Sequence, residues 1–509
     1  MREVRAVIFD LAAWRGALTP QRPAVWHEGR WLSYGALARR AERLAARLHA
    51  LGVAPGERVG VLAPNHPVHL ETLLAAPKLG FVHTPFNHRL VAPELGALLR
   101  EIAPRLVLAA RECAPLLEAS AAPVVFLDRY EDWLADCGSL PPPPALSADH
   151  PWMLLFTGGS TGVPKGALIP YRQVFANAVN TVLAWELGAA DCAIQATPMF
   201  HAAVNVLATP LLYAGGRVVL TSAFDPQEYL QLARAHGATL WFMVPTMYQR
   251  LLGALERELA PAPRLAISGG APCPPSLIEA FRARGLALRQ GYGLTEAGVN
   301  CFALDEAQAR AHPDAVGVPM PLLRAAIRRA DGSECATDEI GELTLSGPAV
   351  FSGYYGKPEE TAQALCGGWL WTGDLARRDA QGLHYLVGRR KEMYISGGEN
   401  VYPAEIEAAL AAHPAVSECA VLGVSHPDWG ETGLACVALK PGTSAGTEAL
   451  RAFLRECLAA YKLPRAFLFL DELPKTAAGK IDKPALRKRY QAASAQEEKT
   501  HGASGHREA

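Results

Sequence analysis

The stretch Phe156-Thr157-Gly158-Gly159-Ser160-Thr161-Gly162-Val163-Pro164-Lys165-Gly166 decides how the chain is read. Residues 152–156 are short, apolar and aromatic, as a buried strand is, so the glycines begin where that strand ends. Gly158, Gly159 and Gly162 let backbone N–H groups turn toward an anion. Thr157, Ser160 and Thr161 add hydroxyl donors, and Lys165 adds a full positive charge. Together they make a phosphate cradle. The spacing Gly-x4-Gly-Lys-Ser/Thr of ordinary P-loop nucleotidases is not met, because Gly162 is followed by Val163-Pro164-Lys165-Gly166. A flexible turn without chemistry is the other meaning of a glycine-rich run.

The chain of 509 residues is too long for one ordinary core, and two or more domains are expected. It is 50% hydrophobic and 19% charged, which suits a globular protein, and its net charge of −1 provides no basic field to gather nucleic acid. None of the ten cysteines forms a Cys-x2-Cys pair, so reduced structural thiols are expected. Arg2, Arg5 and Asp10 break any apolar leader, and no run reaches the roughly eighteen apolar residues of a membrane helix. These features point to a soluble, cytoplasmic protein without an integral membrane segment. Oligomeric state is not readable, and a homodimer stays open.

Outward from the loop, the pattern is that of a wound α/β sheet. A hairpin-like piece at 26–32 leads to Ser33, a helix cap, and to Leu37, Ala41, Leu44, Leu48 and Leu51 at helical spacing. Residues 59–62, 81–84 and 106–109 read as short buried strands between helices, and 141–144 as a stiff proline linker. After the loop, 194–200 reads as a strand ending at His201, 207–219 continues apolar through Gly215-Gly216, and 240–244 and 264–268 read as further strands. Ligands of such sheets collect at the carboxyl ends of the strands. Residues 383–387 are another strand. Beyond 390, helices at 404–412 and 450–460 alternate with strands at 416–424 and 434–439, giving a small α+β domain of about a hundred residues. From 492 onward the tail is polar, small and charged, as disordered termini are.

Several separated motifs then fall in one order. They are the glycine loop, Pro198-Met199-Phe200-His201, Gly269-Gly270-Ala271-Pro272, Gln290-Gly291-Tyr292-Gly293-Leu294-Thr295-Glu296 and Gly368-Trp369-Leu370-Trp371-Thr372-Gly373-Asp374. Gly388-Arg389-Arg390-Lys391-Glu392, Ile395-Ser396-Gly397-Gly398-Glu399-Asn400-Val401-Tyr402-Pro403 and Pro474-Lys475-Thr476-Ala477-Ala478-Gly479-Lys480 complete the series. Over nearly the whole chain this resembles the adenylate-forming superfamily of acyl-CoA synthetases, peptide-synthetase adenylation domains and luciferases. The resemblance implies a large N-terminal domain of wound sheets with flanking helices at 1–390, binding ATP and the acyl group. A small mobile α+β C-terminal domain follows at 391–491, then a tail at 492–509.

The resemblance also implies roles. The loop residues Thr157 to Gly162 and Lys165 would hold phosphates. Tyr292 would stack on adenine against Gly270, Ala271 and Pro272, flanked by Gly291 and Gly293, and Thr295 would meet phosphate. Asp374 and Arg389 would hold ribose, a carboxylate being able to accept two donors. Glu296, with Thr161, would hold Mg2+, which binds hard oxygens and often needs only one carboxylate beside substrate phosphates. Lys480 would be the catalytic lysine, Lys391 the hinge, and Gly397, Gly398 and Trp429 the coenzyme A contacts. His201 would gate an acyl pocket whose other candidates are Val204, Asn205, Trp241, Phe242, Met243 and Val299.

The implied reaction joins a carboxylic acid to coenzyme A through an acyl-adenylate, with ATP, Mg2+ and coenzyme A taking part. Within it, the apolar pocket residues suit alkyl chains and aromatic rings alike, and the Thr157-Gly158-Gly159 variant favours a medium- or long-chain fatty acid. An aryl acid of benzoate or cinnamate type, or transfer to a carrier protein, are the alternatives. Amino-acid activators usually place an Asp in this pocket, and Ala202-Ala203-Val204-Asn205 has none. A nucleotide-binding regulator on the same fold is the reading of a different class.

Overall fold

The apolar runs at 59–62, 81–84 and 106–109 become the parallel strands Arg58–Leu62, Val82–Pro85 and Leu106–Ala109, with Arg58 opposite Val82 and Val59 opposite Leu106. Apart from Arg58 every residue in them is buried, as strands covered on both faces by helices must be. The structure is a computed structural model and describes residues 8–118, 120–135, 137–157, 164–255, 262–396, 399–426, 429–476 and 480–492. The chain forms two compact units. The first takes Met1–Pro272, Phe281–Ala326 and Thr344–Thr372, and the second takes Cys273–Ala280, Ile327–Leu343 and Gly373–Ala509.

The first unit holds two seven-stranded sheets. One runs in the order Leu288–Gln290, Leu265–Ser268, Leu240–Met243, Cys192–Gln195, Arg217–Leu220, Pro23–His27, Arg30–Ser33. The other runs Gly353–Tyr354, Lys165–Pro170, Pro151–Thr157, Val82–Pro85, Arg58–Leu62, Leu106–Ala109, Val124–Phe126. The helix Tyr34–Ala50 begins as its cap predicts, with Ser33 Oγ accepting the Ala36 N–H at 3.2 Å. Leu37, Ala41, Leu44 and Leu48 face inward, whereas Leu51 is the exposed cap beyond the last turn.

The expected strand over 194–200 is cut short. The strand stops at Gln195, because the Asn65 side chain takes over the backbone there: its Nδ2 donates to the Gln195 and Thr197 carbonyls, and its Oδ1 accepts the Met199 N–H. The apolar run 207–219 divides at its glycines: a π-helical turn Val204–Ala208 runs into the helix Thr209–Ala214, and Arg217–Leu220 is extended. A continuous apolar run does not distinguish a buried helix from a buried strand.

The helix Pro67–Leu79 is buried all round, so its polar members need partners. Glu71, with no exposed surface, accepts Arg40 Nε at 2.7 Å and the Tyr130 hydroxyl at 2.9 Å, while Lys78 pairs with Asp10 at 2.7 Å. Trp152, on the strand that leads into the glycine loop, donates its indole N–H to the Leu73 carbonyl at 2.7 Å and stacks on Tyr171.

In the second unit one sheet runs Glu399–Val401, Tyr394–Ser396, Gly430–Leu439, Val416–His426, with Ala466–Phe469 parallel beside Gly430–Leu439. Strand alternation buries both of its faces. Val421 and Val437 pack with Ile406, Leu410, Leu450 and Leu454 on one side, and Leu422 and Cys436 pack with Leu473 and Leu486 on the other. The expected helices are Pro403–Ala411 and Thr447–Arg455. Within this unit Arg389 pairs with Asp374 and Arg390 with Glu342. The tail beyond 492 lies outside the described residues.

Removing Arg40 would leave Glu71 buried beside a single phenol. Arg40→Met is therefore expected to destabilise the first unit by roughly 3 kcal/mol, read as an earlier urea transition, with Arg40→Met/Glu71→Met recovering much of the loss.

Candidate active site

The glycine loop is bracketed by the antiparallel strands Pro151–Thr157 and Lys165–Pro170, in which Thr157 faces Lys165 and Phe156 faces Gly166. Thr157 Oγ1 donates to the Lys165 carbonyl at 3.4 Å, and Phe156 stacks on Phe86. Gly158, Gly159, Ser160, Thr161 and Gly162 themselves lie outside the described residues. Lys165 Nζ stands 5.3 Å from the ring centre of Tyr354.

The two nucleotide motifs run side by side where the strand Leu265–Ser268 ends. Gly291 N–H donates to the Ser268 carbonyl at 2.8 Å, and a Cβ on Gly269 would lie 2.8 Å from the Phe242 ring. Gly270 has φ +82°, so the turn into Ala271 and Pro272 uses a backbone that glycine adopts without strain. Tyr292 tilts against Phe302 at 5.8 Å.

Beyond Tyr292 the chain doubles back on itself: a Cβ on Gly293 would lie 1.9 Å from the Val299 carbonyl oxygen. Val299 is held at φ +66°, an outlier for a β-branched residue. The turn Thr295–Ala297 between them is tied down by Gln173 Nε2 donating to the Thr295 carbonyl (2.8 Å) and Phe351 N–H to the Glu296 carbonyl (2.8 Å). The Glu296 side chain, 9% exposed, accepts the Tyr354 hydroxyl at Oε1, 2.9 Å away.

The acyl-pocket candidates separate. Asn205 and the neighbour of Val299 are joined, because Asn177 Nδ2 donates to the Asn205 carbonyl (2.6 Å) while Asn177 Oδ1 accepts the Asn300 N–H (3.3 Å). Asn300 Nδ2 reaches Thr181 Oγ1 and the Val206 carbonyl, and Thr209 Oγ1 donates to Asn205 Oδ1, so buried amides brace the π turn that carries Val204 and Asn205. His201 tilts on Phe200, which meets His88 edge-on. Trp241, Phe242 and Met243 cannot share one wall, since successive strand residues point to opposite faces. Phe242 stands over Gly269, and Trp241 meets Tyr229 of the helix Pro226–His236 instead.

In the second unit Asp374 and Arg389 are register partners with Arg389 Nε 3.0 Å from Asp374 Oδ1. Glu342, 5% exposed, accepts the Gly373 N–H at 3.0 Å and pairs with Arg390 at 3.0 Å. Lys391 is exposed. Lys480 closes a tight loop in which Thr476 N–H donates to the Lys480 carbonyl at 2.7 Å and Asp482 N–H to the Pro474 carbonyl at 2.7 Å. Lys483 anchors that loop by pairing with Glu392 at 2.6 Å and Glu407 at 2.9 Å. Trp429 lies under the Arg465 guanidinium at 4.2 Å, and Gly397 and Gly398 are outside the described residues. Tyr354, Glu342, Arg465 and Lys483 escaped sequence reading. Only their contacts give them a place.

The family described as AMP-binding enzyme matches residues 12–355, and the AMP-binding enzyme C-terminal domain matches residues 405–480. The chain belongs to the AMP-binding enzyme family. It is 40% identical over 492 residues to a feruloyl-CoA synthase of Amycolatopsis sp, covering 94% of this chain and 99% of that one. A 2-succinylbenzoate–CoA ligase of Geobacillus kaustophilus is 35% identical over 480 residues, covering 93% and 96%. Among solved structures, the o-succinylbenzoate CoA synthetase of Bacillus subtilis with its acyl-adenylate OSB-AMP matches at TM-score 0.85 and 29% identity, covering 93% of this chain and 96% of that one. The same enzyme with ATP and magnesium ion also matches at TM-score 0.85 and 29% identity, covering 93% and 98%. The protein is an AMP-forming acid–thiol ligase of the adenylate-forming superfamily that uses ATP, Mg2+ and coenzyme A. No helix among its described residues is long and apolar enough to cross a membrane.

The Gly293 contact supplies a test. Gly293→Ala forces the turn off Val299 at an expected cost of about 1–3 kcal/mol. It should weaken ATP binding in calorimetry, whereas Gly188→Ala, whose Cβ meets nothing within 4 Å, controls for an added methyl without a contact.

Proposed function

We propose that the protein joins an aromatic carboxylic acid, of cinnamate or benzoate type, to coenzyme A through an acyl-adenylate. The observation that carries this reading is the 40% identity with a feruloyl-CoA synthase over nearly the full length of both chains. The amide-braced π turn and the fixed Val299 backbone support it, because a stiff wall suits a flat ring better than a flexible alkyl chain. The fatty-acid preference drawn from Gly158-Gly159 gives way for a physical reason. That loop is assigned to phosphate, so its composition does not report on the acyl end of the site.

The first step needs no general base, since a carboxylic acid with a pKa of roughly 4 is ionised at neutral pH. Its obstacle is the approach of one anion to another, so positioning and cations carry the catalysis. Lys165 and Lys480 supply positive charge at the phosphates, Tyr292 and the 270–272 backbone hold adenine, and Asp374 with Arg389 holds ribose. Glu296 offers one buried carboxylate, which fits Mg2+ where phosphates provide the remaining hard ligands. When bound, Mg2+ neutralises charge on the triphosphate. In the second step the thiol of coenzyme A attacks the adenylate carbonyl and AMP leaves, with Trp429, Gly397 and Gly398 on the coenzyme A side and Lys391 as the pivot between the two steps.

The decisive experiment is coenzyme A-dependent AMP release across cinnamates, benzoates and straight-chain acids. Ring acids are expected to lead by about tenfold or more in kcat/KM. A maximum at one alkyl chain length would return the fatty-acid reading. AMP release without coenzyme A would assign another acceptor. Lys480→Ala is expected to slow ATP–pyrophosphate exchange about a hundredfold. Lys391→Pro should slow thioester formation far more than adenylation, and equal losses would remove the pivot.

A further inference from the structure

Tyr354 touches two groups assigned to the triphosphate. It ends the short strand Gly353–Tyr354, which pairs antiparallel with Lys165–Pro170 and sets Tyr354 opposite Ala167. Its hydroxyl donates to Glu296 Oε1 at 2.9 Å, and Lys165 Nζ stands 5.3 Å from the centre of its ring. The side chain has little freedom. Its backbone N–H donates to Thr361 Oγ1 at 2.8 Å and its ring meets Phe351 edge-on at 4.9 Å. Gly353, at φ +132°, is packed so closely that a Cβ there would lie 2.6 Å from Thr361 Cγ2.

We propose that Tyr354 is a positioning residue for the magnesium carboxylate: its hydroxyl fixes the rotamer of Glu296, and its ring face steadies Lys165 at the mouth of the phosphate loop. Glutamate has three rotatable bonds, and the turn that carries Glu296 constrains only its backbone. A donor on one carboxylate oxygen selects one orientation in advance of metal binding. Such an outer contact commonly changes metal affinity by about 10–100-fold. The cation over the ring is a separate, weaker contact. The inference rests on the reading that Glu296 holds Mg2+.

The experiment is calorimetric binding of ATP with and without Mg2+ to the full chain, alongside the Mg2+ dependence of ATP–pyrophosphate exchange. Tyr354→Phe keeps the ring and removes the donor. It is expected to weaken MgATP binding about tenfold, to leave metal-free ATP binding unchanged, and to be offset in exchange by raised Mg2+. Tyr354→Leu also removes the ring and should weaken metal-free ATP binding as well. A Tyr354→Phe protein with the wild-type Mg2+ response overturns the proposal. Equal weakening of metal-free and Mg2+-bound ATP also overturns it, because a general loosening of the fold would do that. Glu296→Gln tests the underlying reading separately. If Mg2+ still strengthens ATP binding normally in that variant, Glu296 is not the metal carboxylate, whatever Tyr354 does.

Discussion

A carboxylate withdrawn from water must be given donors, and at Glu296 that requirement gathers three distant parts of the chain. The phenol comes from the strand Gly353–Tyr354, the turn's carbonyls are held from 173 and 351, and the same strand pairs with the one that begins at Lys165. The glycine loop therefore ends on a strand whose neighbour also holds the Glu296 side chain. Under the proposed assignment of Lys165 to phosphate and Glu296 to Mg2+, this shared framework suits catalysis by placement of charge: preorganised contacts need not rearrange when negative charge builds up.

What the sequence makes legible follows from what is local. Short β-branched and aliphatic runs gave the strands at 58, 82 and 106, and a Ser cap with apolar residues at helical spacing gave Tyr34–Ala50 within a residue. The motifs were legible because adjacent residues do one job there, as in Tyr292 to Glu296. What stayed hidden is pairwise. Tyr354 lies 58 positions from Glu296 and Lys483 lies 91 from Glu392, and no local pattern announces either contact. Trp241, Phe242 and Met243 looked alike as pocket candidates by hydrophobicity, but the strand's period of two sends Phe242 to Gly269 and Trp241 to Tyr229.

The second unit solves a different problem, since a small sheet that buries both faces leaves little room for charge. The half-buried ion cluster around Lys483 is therefore informative. Lys483 draws Glu392 from the segment after Lys391 and Glu407 from the helix Pro403–Ala411, and Glu407 also accepts the Val421 N–H at 2.8 Å. Desolvating a lysine and two carboxylates gains little stability on balance, because each ion loses water. The gain is in geometry. Lys483, three residues after Lys480, is tied to the helix and to the residue after Lys391. A flexible lysine on a free loop would lose much of its catalytic advantage to disorder.

The same division between local and pairwise explains why reaction class was readable and substrate was not. Every acid of this reaction presents the same carboxylate, triphosphate and thiol, so the residues that meet those groups recur as compact motifs. The acyl group differs from one acid to the next, and the candidates to meet it come singly from 201, 205 and 299; the network through Asn177 that joins Asn205 to Asn300 belongs to no motif. A cue taken from the phosphate loop could not report on that wall. Similarity over the whole chain can, because it integrates the scattered positions, and it turns the reading from an alkyl chain toward a ring.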